Sequence, residues 1–159
     1  MSLTVRNLVR FLCFLLLLAC VGCRKPTHHG LPKFPVKGKV LVNGSPAPRM
    51  AVLFHHSDQN IPGNCRYPTG VSDQNGVFVL STEGKNDGAV AGEYKVTFTW
   101  LSSAELDAID MLKGAFGNPG SAKFQVKVPL PDDRPVEFDL KVTEDSIQRP
   151  ATDRIASPR

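Results

Sequence analysis

The sequence predicts an all-β protein, built as a single antiparallel β-sandwich of about seven strands with one short helical insertion and preceded by a signal peptide. Short segments of alternating apolar and polar residues recur across residues 34–143, and such alternation is typical of half-buried strands. Turn-forming residues separate these segments, and the chain contains 13 Gly and 13 Pro. Hydrophobic residues make up 42% of the 159 residues, enough for one small core.

The chain begins with an apolar run over residues 11–23, preceded by Arg6 and Arg10 and by no acidic residue. A bilayer span takes about 20 apolar residues, so this run is too short for a transmembrane helix. Its length and its basic flank are typical of a secretory signal peptide. We therefore assign residues 1–19 to a signal peptide.

The apolar run ends in two cysteines, in the stretches "LLAC" and "CVGC". These stretches resemble the bacterial lipobox, which implies a diacylglycerol on the Cys thiol, further acylation such as palmitate, and anchoring in the cell envelope, facing the periplasm or the exterior. Cys20 is the better match because Leu17 stands three residues before it, and Cys23 is the alternative. A cleaved signal without a lipid is the competing interpretation.

The stretch from residue 24 onward is polar and contains Pro and Gly, so we predict that residues 20–33 are a lipidated N-terminus and a flexible tether. Removing residues 1–19 takes away Arg6 and Arg10 and no acid, so the formal charge falls from +4 to +2. The chain has no Lys/Arg cluster beyond Arg24–Lys25, which lies next to the anchor and which we interpret as part of a solvated linker. Nucleic acid is therefore not expected as a partner.

The first predicted strand is "VKGKVLV", residues 36–42, with Val40 and Val42 on the apolar face. Asn43–Gly44 follows it and is a strong hairpin signal, because both residues tolerate a positive φ. The next strand is "MAVLFHH", residues 50–56.

A loop carrying Cys65 then leads to "TGVS", and "DQNG" forms a turn with Asp73 first and Gly76 last. Phe78 lies in the returning strand. A disulfide between Cys23 and Cys65 in an oxidising compartment is one interpretation, and two separate thiols are the favoured one.

The clearest strand is "EYKVTFTW", residues 93–100, in which every second residue is apolar. Two further alternating runs, residues 124–128 and 136–142, complete the domain. The domain thus spans residues 34–143 and is Ig-like in size. The residues expected between the sheets are Phe78, Tyr94, Val96, Phe98, Phe138 and Leu140.

The helical candidate lies between Trp100 and Phe124. Ser102 and Glu105 have the spacing of a capping box, and Leu106, Ile109 and Leu112 recur every three residues. Gly114 would end this helix. Residues 144–159 have no periodicity and are expected to form a disordered tail.

Three ordered stretches, "PVKGKVLVNGSPAPRMAVLFH", "TGVSDQNGVFVLST" and "NDGAVAGEYKVTFTW", resemble the carboxypeptidase regulatory-like, transthyretin-like domains. The chain is similar in particular to small bacterial envelope lipoproteins with one such domain. The motif residues are Asn43, Gly44, Asp73, Asn75, Gly76, Phe78, Asp87, Gly88, Gly92 and Tyr94. The resemblance implies a non-catalytic binding or accessory module without a cofactor, and we expect Tyr94 to place its hydroxyl near the edge of the core.

Two motifs admit a metal interpretation. His55 and His56 are adjacent on a strand and therefore point to opposite faces, and His28–His29 lie in the tether. Asp73, Asn75 and Asp87 would offer oxygens to calcium, but the closing Glu of an EF-hand loop is missing. We expect no metal site and interpret the acidic residues as turn formers.

Two functional hypotheses remain. The first is a membrane-tethered, non-catalytic module that contacts an envelope protein or glycan; Trp100 and Tyr67 are its candidate aromatic platform. The alternative is a hydrolase that uses the acidic cluster Glu105, Asp107 and Asp110. The sequence contains no G-x-S-x-G, H-E-x-x-H or nucleotide-binding motif, so we expect that the protein is not an enzyme.

Overall fold

A computed structural model describes residues 30–150, and the signal peptide, Cys20, Cys23 and residues 151–159 lie outside the described residues. Residues 31–150 belong to one compact unit. The strands in the described range are β1 (Lys33–Phe34), β2 (Lys37–Val42), β3 (Ser45–Pro46), β4 (Met50–His56), β5 (Thr69–Val71), β6 (Val77–Val79), β7 (Ala89–Val90), β8 (Gly92–Trp100), β9 (Phe124–Val128) and β10 (Val136–Leu140).

Two four-stranded sheets form the sandwich. One sheet has the order β5-β4-β8-β9, and in the other β2 pairs with β10, β3 and β6. A small third sheet joins β1 to β7. The all-β prediction is confirmed, and seven of the strands have three or more residues.

Aromatic rings fill the space between the sheets. The Phe138 ring, from β10, lies 5.2 Å from the Phe98 ring and 6.4 Å from the Phe54 ring of the opposite sheet, centroid to centroid. The Phe78 ring stacks on Phe138 at 6.1 Å. The six residues predicted to lie between the sheets are all buried, which confirms that prediction: Phe78, Tyr94, Val96, Phe98, Phe138 and Leu140.

The hydroxyl of Tyr94 is not near an edge. Tyr94 is completely buried, and its Oη donates a hydrogen bond to the carbonyl of Val90 at 2.9 Å. The expectation that this hydroxyl lies near the edge of the core was therefore wrong. The carbonyl of Val90 lets the phenol stay inside the core without an unsatisfied polar group.

The sheets are not purely antiparallel. β10 pairs with β2 in parallel, with Val136 opposite Gly38 and Leu140 opposite Val42. The alternation of a strand does not depend on its direction, so the pattern of residues 136–142 was equally consistent with either pairing. The last strand thus closes the sheet beside the first long strand.

The helical insertion is absent. Residues 101–116 form bends and turns, and the 3₁₀ turn at Pro119–Ser121 is the helical element between β8 and β9. The Ser102 hydroxyl accepts a hydrogen bond from the N–H of Ile109, not from Glu105. Of the three apolar residues that suggested a helix, Leu112 is buried whereas Leu106 is fully exposed.

Both predicted domain boundaries need adjustment. Lys33 was placed in the tether but belongs to β1. Residues 144–150 were placed in a disordered tail, yet Glu144–Ser146 form a 3₁₀ turn and the N–H of Gln148 donates to the carbonyl of Met111 at 2.8 Å. Ile147 packs against the core. Within residues 30–150, no helix has the length and apolar character that a bilayer span requires.

Candidate functional site

Three side chains form a row across the outer face of the β5-β4-β8-β9 sheet. Lys95 of β8 lies directly opposite His55 of β4 in the register. On the other side of β4, the N–H of Phe54 donates to the carbonyl of Pro68 and the N–H of His56 to the carbonyl of Arg66. These two bonds place Tyr67 opposite His55. Adjacent strands lie about 4.8 Å apart, so the row Tyr67–His55–Lys95 spans about 10 Å.

Tyr67 is held at the end of this row by ring contacts. Its ring meets the His55 imidazole edge-on, with centroids 5.8 Å apart at 79°. The Arg66 guanidinium lies 6.0 Å from the centre of the Tyr67 ring. Even so, 49% of the Tyr67 surface remains exposed. The ring is therefore fixed in place but accessible.

Arg66 also fixes the loop that carries Gln59. Its Nη2 donates to the carbonyls of Gln59 at 2.7 Å and Ile61 at 2.8 Å, and its Nη1 donates to the Gln59 side-chain oxygen at 3.2 Å. A planar guanidinium can serve several acceptors at once. The loop before Tyr67 is thus stiffened from within.

His55, in the middle of the row, is anchored by a hydrogen bond. Its Nε2 is hydrogen-bonded to the Thr97 hydroxyl at 2.8 Å. Burial lowers the pKa of His55 below its usual value, so the imidazole is neutral at pH 7. The Thr97 hydroxyl is buried and also lies 3.5 Å from the carbonyl of Leu53. The hydrogen bond to Thr97 therefore holds the His55 ring in place, and the buried Thr97 hydroxyl is not presented as a nucleophile.

A turn forms the opposite wall. Asn118 accepts a hydrogen bond from the N–H of Gly120 at 2.8 Å, which closes the 3₁₀ turn Pro119–Ser121. This turn contacts β8. Pro119 and Gly120 line one cavity together with residues from the Tyr67 side.

We call this cavity the cleft, defined by His55, Ser57, Gln59, Tyr67, Lys95 and the Pro119–Gly120 turn; its volume is about 410 Å³. Sites for small ligands usually measure about 300–1,000 Å³. None of the described residues that line the cleft is Asp or Glu, and Lys95 is their one constantly charged side chain. The cleft is thus polar, weakly basic and bordered by an exposed aromatic ring.

His56 faces inward and also lines the base of the cleft. Its Nδ1 accepts a hydrogen bond from the N–H of Asp58 at 2.9 Å, so the proton sits on Nε2, which donates to the carbonyl of Ala91 at 3.2 Å. The ring also packs on Tyr94 at 4.7 Å. Among residues 30–150, no group of three or more His, Cys, Asp or Glu side chains is arranged to hold a metal. His28 and His29 lie outside the described residues.

The predicted turn residues are engaged in backbone turns. Asn43 and Gly44 have φ values of 52° and 82° and join β2 to β3. Asp73 accepts hydrogen bonds from the N–H groups of Asn75 and Val77 at 2.8 and 2.9 Å. Gly76 has a φ of 77°, and its carbonyl accepts from the N–H of Val40.

Asp87 stabilises a second turn. Its carboxylate accepts from the N–H groups of Thr82 at 2.7 Å and Gly84 at 2.9 Å, and Lys33 lies 3.6 Å away. Gly88, with a φ of 82°, follows it next to the backbone of Phe34. Asp73 and Asp87 thus serve two different turns, which agrees with the turn interpretation rather than with a shared calcium ion.

Cys65 lies near this second turn. Its thiol is buried, and burial together with the neighbouring Glu83 raises its pKa. Glu83 also forms an ion pair with Lys33 at 2.6 Å. Such a thiol is protonated at neutral pH and is not activated as a nucleophile. The pairing with Cys23 stays a prediction, since Cys23 is outside the described residues.

The acidic cluster is not a paired-carboxylate site. Asp110 accepts hydrogen bonds from the N–H groups of Trp100 at 2.9 Å, Leu112 at 3.0 Å and Gly114 at 2.7 Å. Its carboxylate therefore organises the loop after β8. Glu105 and Asp107 are exposed, and the helix that was expected to align the three residues is absent.

The two candidate aromatic residues are in different places. Trp100 is half-buried, and its indole N–H donates to the carbonyl of Pro48 at 2.9 Å. Trp100 lies at the opposite end of β8 from Gly92, whereas the cleft is near the Gly92 end. Tyr67 alone is therefore available as an aromatic surface in the cleft. Its neighbours Gln59 and Lys95 were not singled out from the sequence.

Comparisons with known proteins identify no family for this chain. No model of a protein family matches the chain, and no curated protein matches it significantly. Among solved structures, the chain is similar to a 9R-lipoxygenase from Cyanothece PCC8801 at 13% identity and a TM-score of 0.36, over 86% of this chain and 21% of that chain. The chain thus spans about a fifth of that enzyme, and a similarity this low carries no argument.

Proposed function

We propose that the chain is a bacterial envelope lipoprotein whose β-sandwich is a non-catalytic binding module. In this proposal Cys20, or alternatively Cys23, carries the lipid, and the domain is of the carboxypeptidase regulatory-like, transthyretin-like type. The module contacts another envelope component, protein or glycan. The anchor is supported by the lipobox-like end of the apolar run and by the polar tether that follows it.

The structural observation that carries the binding part is the cleft. It has a fixed, half-exposed ring, a neutral imidazole and a lysine on a rigid sheet, flanked by two hydrogen-bonded turns. Binding sites combine such concave shape with a few polar groups in fixed positions. The adjacent His55–Thr97 pair supports a non-catalytic role because Thr97 is buried beneath the cleft.

The hydrolase alternative has no specific support. A hydrolase of this kind needs two carboxyl groups on either side of one bond. Asp110 already serves three backbone N–H groups, and Leu106, between Glu105 and Asp107, is fully exposed.

The anchor is tested by labelling the cells with radioactive palmitate. We expect label in the wild-type protein and none in Cys20→Ala, because the thiol is the attachment point. Cys13→Ala is the matched control and should keep its label, since Cys13 lies within the predicted signal peptide. Label that persists in Cys20→Ala but disappears in Cys23→Ala moves the site to Cys23. Absence of label in the wild type would refute the lipoprotein proposal.

A further inference from the structure

We infer that the cleft is a binding site for an acidic glycan, whose sugar ring packs on Tyr67 and whose carboxylate pairs with Lys95. This inference rests on the proposed function, since it takes the glycan from the envelope to which the module would be anchored. It selects a glycan rather than a protein as the ligand of the cleft.

The first argument is the state of the Tyr67 ring. A ring that is 49% exposed and yet held by His55 and Arg66 presents a flat apolar surface that loses little freedom on binding. The face of an aromatic ring is negatively polarised, and the axial C–H groups of a sugar ring carry slight positive charge. A sugar can therefore pack there without giving up its hydroxyl contacts.

The second argument is the polar surround. Gln59 and Ser57 are exposed at the margin of the cleft. Arg66 occupies the Gln59 side-chain oxygen at 3.2 Å, which leaves its NH₂ group as a donor. An amide, a hydroxyl and an imidazole around one ring match the hydroxyls of a sugar better than the apolar side chains that anchor most protein partners.

The third argument is charge and distance. Lys95 lies two strand spacings away from Tyr67 across the sheet, which is about 10 Å along the row. A disaccharide covers this span. None of the described residues lining the cleft carries a carboxylate that would neutralise Lys95. Glu93, on the same face of β8, stands opposite Lys127 in the register and outside the cleft. An anionic group is therefore favoured at the Lys95 end.

The test measures Kd by NMR titration of the full-length protein in a detergent without a sugar head group. The probes are the tetrasaccharide of hyaluronan, tetragalacturonate and, as the neutral counterpart, chitotetraose. We expect the acidic probes to bind at least about fivefold more tightly than chitotetraose at low salt, and added salt to reduce this preference. Chitotetraose should show little response to salt.

Paired variants separate the two contacts. Tyr67→Ala should weaken every probe about tenfold, whereas Tyr67→Phe, which keeps the ring, should bind like the wild type. Lys95→Gln should abolish the preference for the acidic probes, and Lys95→Arg should retain it. Lys127→Gln removes an equal charge from the same face outside the cleft and should change nothing. The substituted side chains are exposed, so unchanged melting temperatures will show that the variants fold.

Several results would overturn the inference: no binding of any probe, equal binding of acidic and neutral probes, or affinities that Tyr67→Ala leaves unchanged. Crosslinking of the intact protein in its own envelope distinguishes the two levels of proposal. Palmitate labelling and crosslinking to a protein through the cleft, without glycan binding, would leave the anchored module standing and remove the glycan. Glycan binding without palmitate labelling would leave the glycan site standing and refute the lipid anchor.

Discussion

Phe138 is the side chain whose loss should be felt most strongly in the core. Its ring contacts four others at centroid distances between 5.2 and 6.4 Å: Phe98, Phe124, Phe78 and Phe54. These rings come from both sheets, and Phe138 itself is 4% exposed. Phe138→Ala therefore opens a cavity between the sheets that neither can close without shifting its strands.

The expected cost follows from burial and from the cavity. Replacing a buried Phe by Ala typically lowers the free energy of unfolding by about 3–5 kcal/mol. For a domain of this size, that corresponds to a fall in Tm of about 10–20 °C and a fall in the urea midpoint of about 2 M. Since domain stabilities are about 5–15 kcal/mol in total, the variant is expected to be only marginally folded.

The assay is urea denaturation of a fragment of residues 31–150, with unfolding monitored by circular dichroism. Phe124→Ala is the matched control, because Phe124 is only half-buried at the edge strand β9 and should cost clearly less. A Phe138→Ala variant that loses less than about 1 kcal/mol, or no more than Phe124→Ala, would show that Phe138 does not lie at the centre of the core.

Two further predictions concern the backbone and pH. Gly92→Ala should cost about 2–4 kcal/mol, because φ is 154° and a Cβ would lie 2.1 Å from His56 Nε2; Gly63→Ala, in open space, is the control in the same urea assay, and equal stabilities would refute the clash. Burial acts to raise the pKa of Asp87, but backbone N–H groups and Lys33 outweigh it, so the net pKa is lowered. This contribution is present above the unfolded-state pKa of about 4 and is lost as pH falls through the folded-state value. Asp87→Asn should therefore lower Tm at pH 7 and converge on the wild type at pH 2, whereas a difference independent of pH would contradict the reasoning.

Strands and tight turns could be predicted because their signals are local. In β4 the alternation of Val52, Phe54 and His56 with Leu53 and His55 corresponds to inward and outward positions. Asn43–Gly44 could be read as a hairpin because few residue pairs adopt the positive φ values that it requires. In each case one short stretch contains all the information.

The loop after β8 was mispredicted because its organising contact is polar. The three-residue spacing of Leu106, Ile109 and Leu112 also suits a succession of turns, and only tertiary contacts decide between the two. Asp110 accepts three backbone N–H groups, including that of Trp100 in the preceding strand. These bonds provide the N–H groups with acceptors that a helix would otherwise supply, so the segment has no need of a helical hydrogen-bond pattern.

The cleft escaped prediction for a different reason. Tyr67, His55 and Lys95 lie far apart in the sequence, and the row exists only because β4 has fixed registers with the segment before β5 and with β8. A slip of one residue in either pairing would turn one member of the row to the other face. The alternation of β4 and β8 already placed His55 and Lys95 outward, so the missing information was the register.

The loop of residues 57–66 helps to fix the register on the β5 side of β4, because the Arg66 contacts hold the loop that leads to Tyr67. The same residues that build the wall of the cleft therefore also determine that the row forms, which is why Arg66, although it is not needed to touch a ligand, is as much a part of the site as Tyr67.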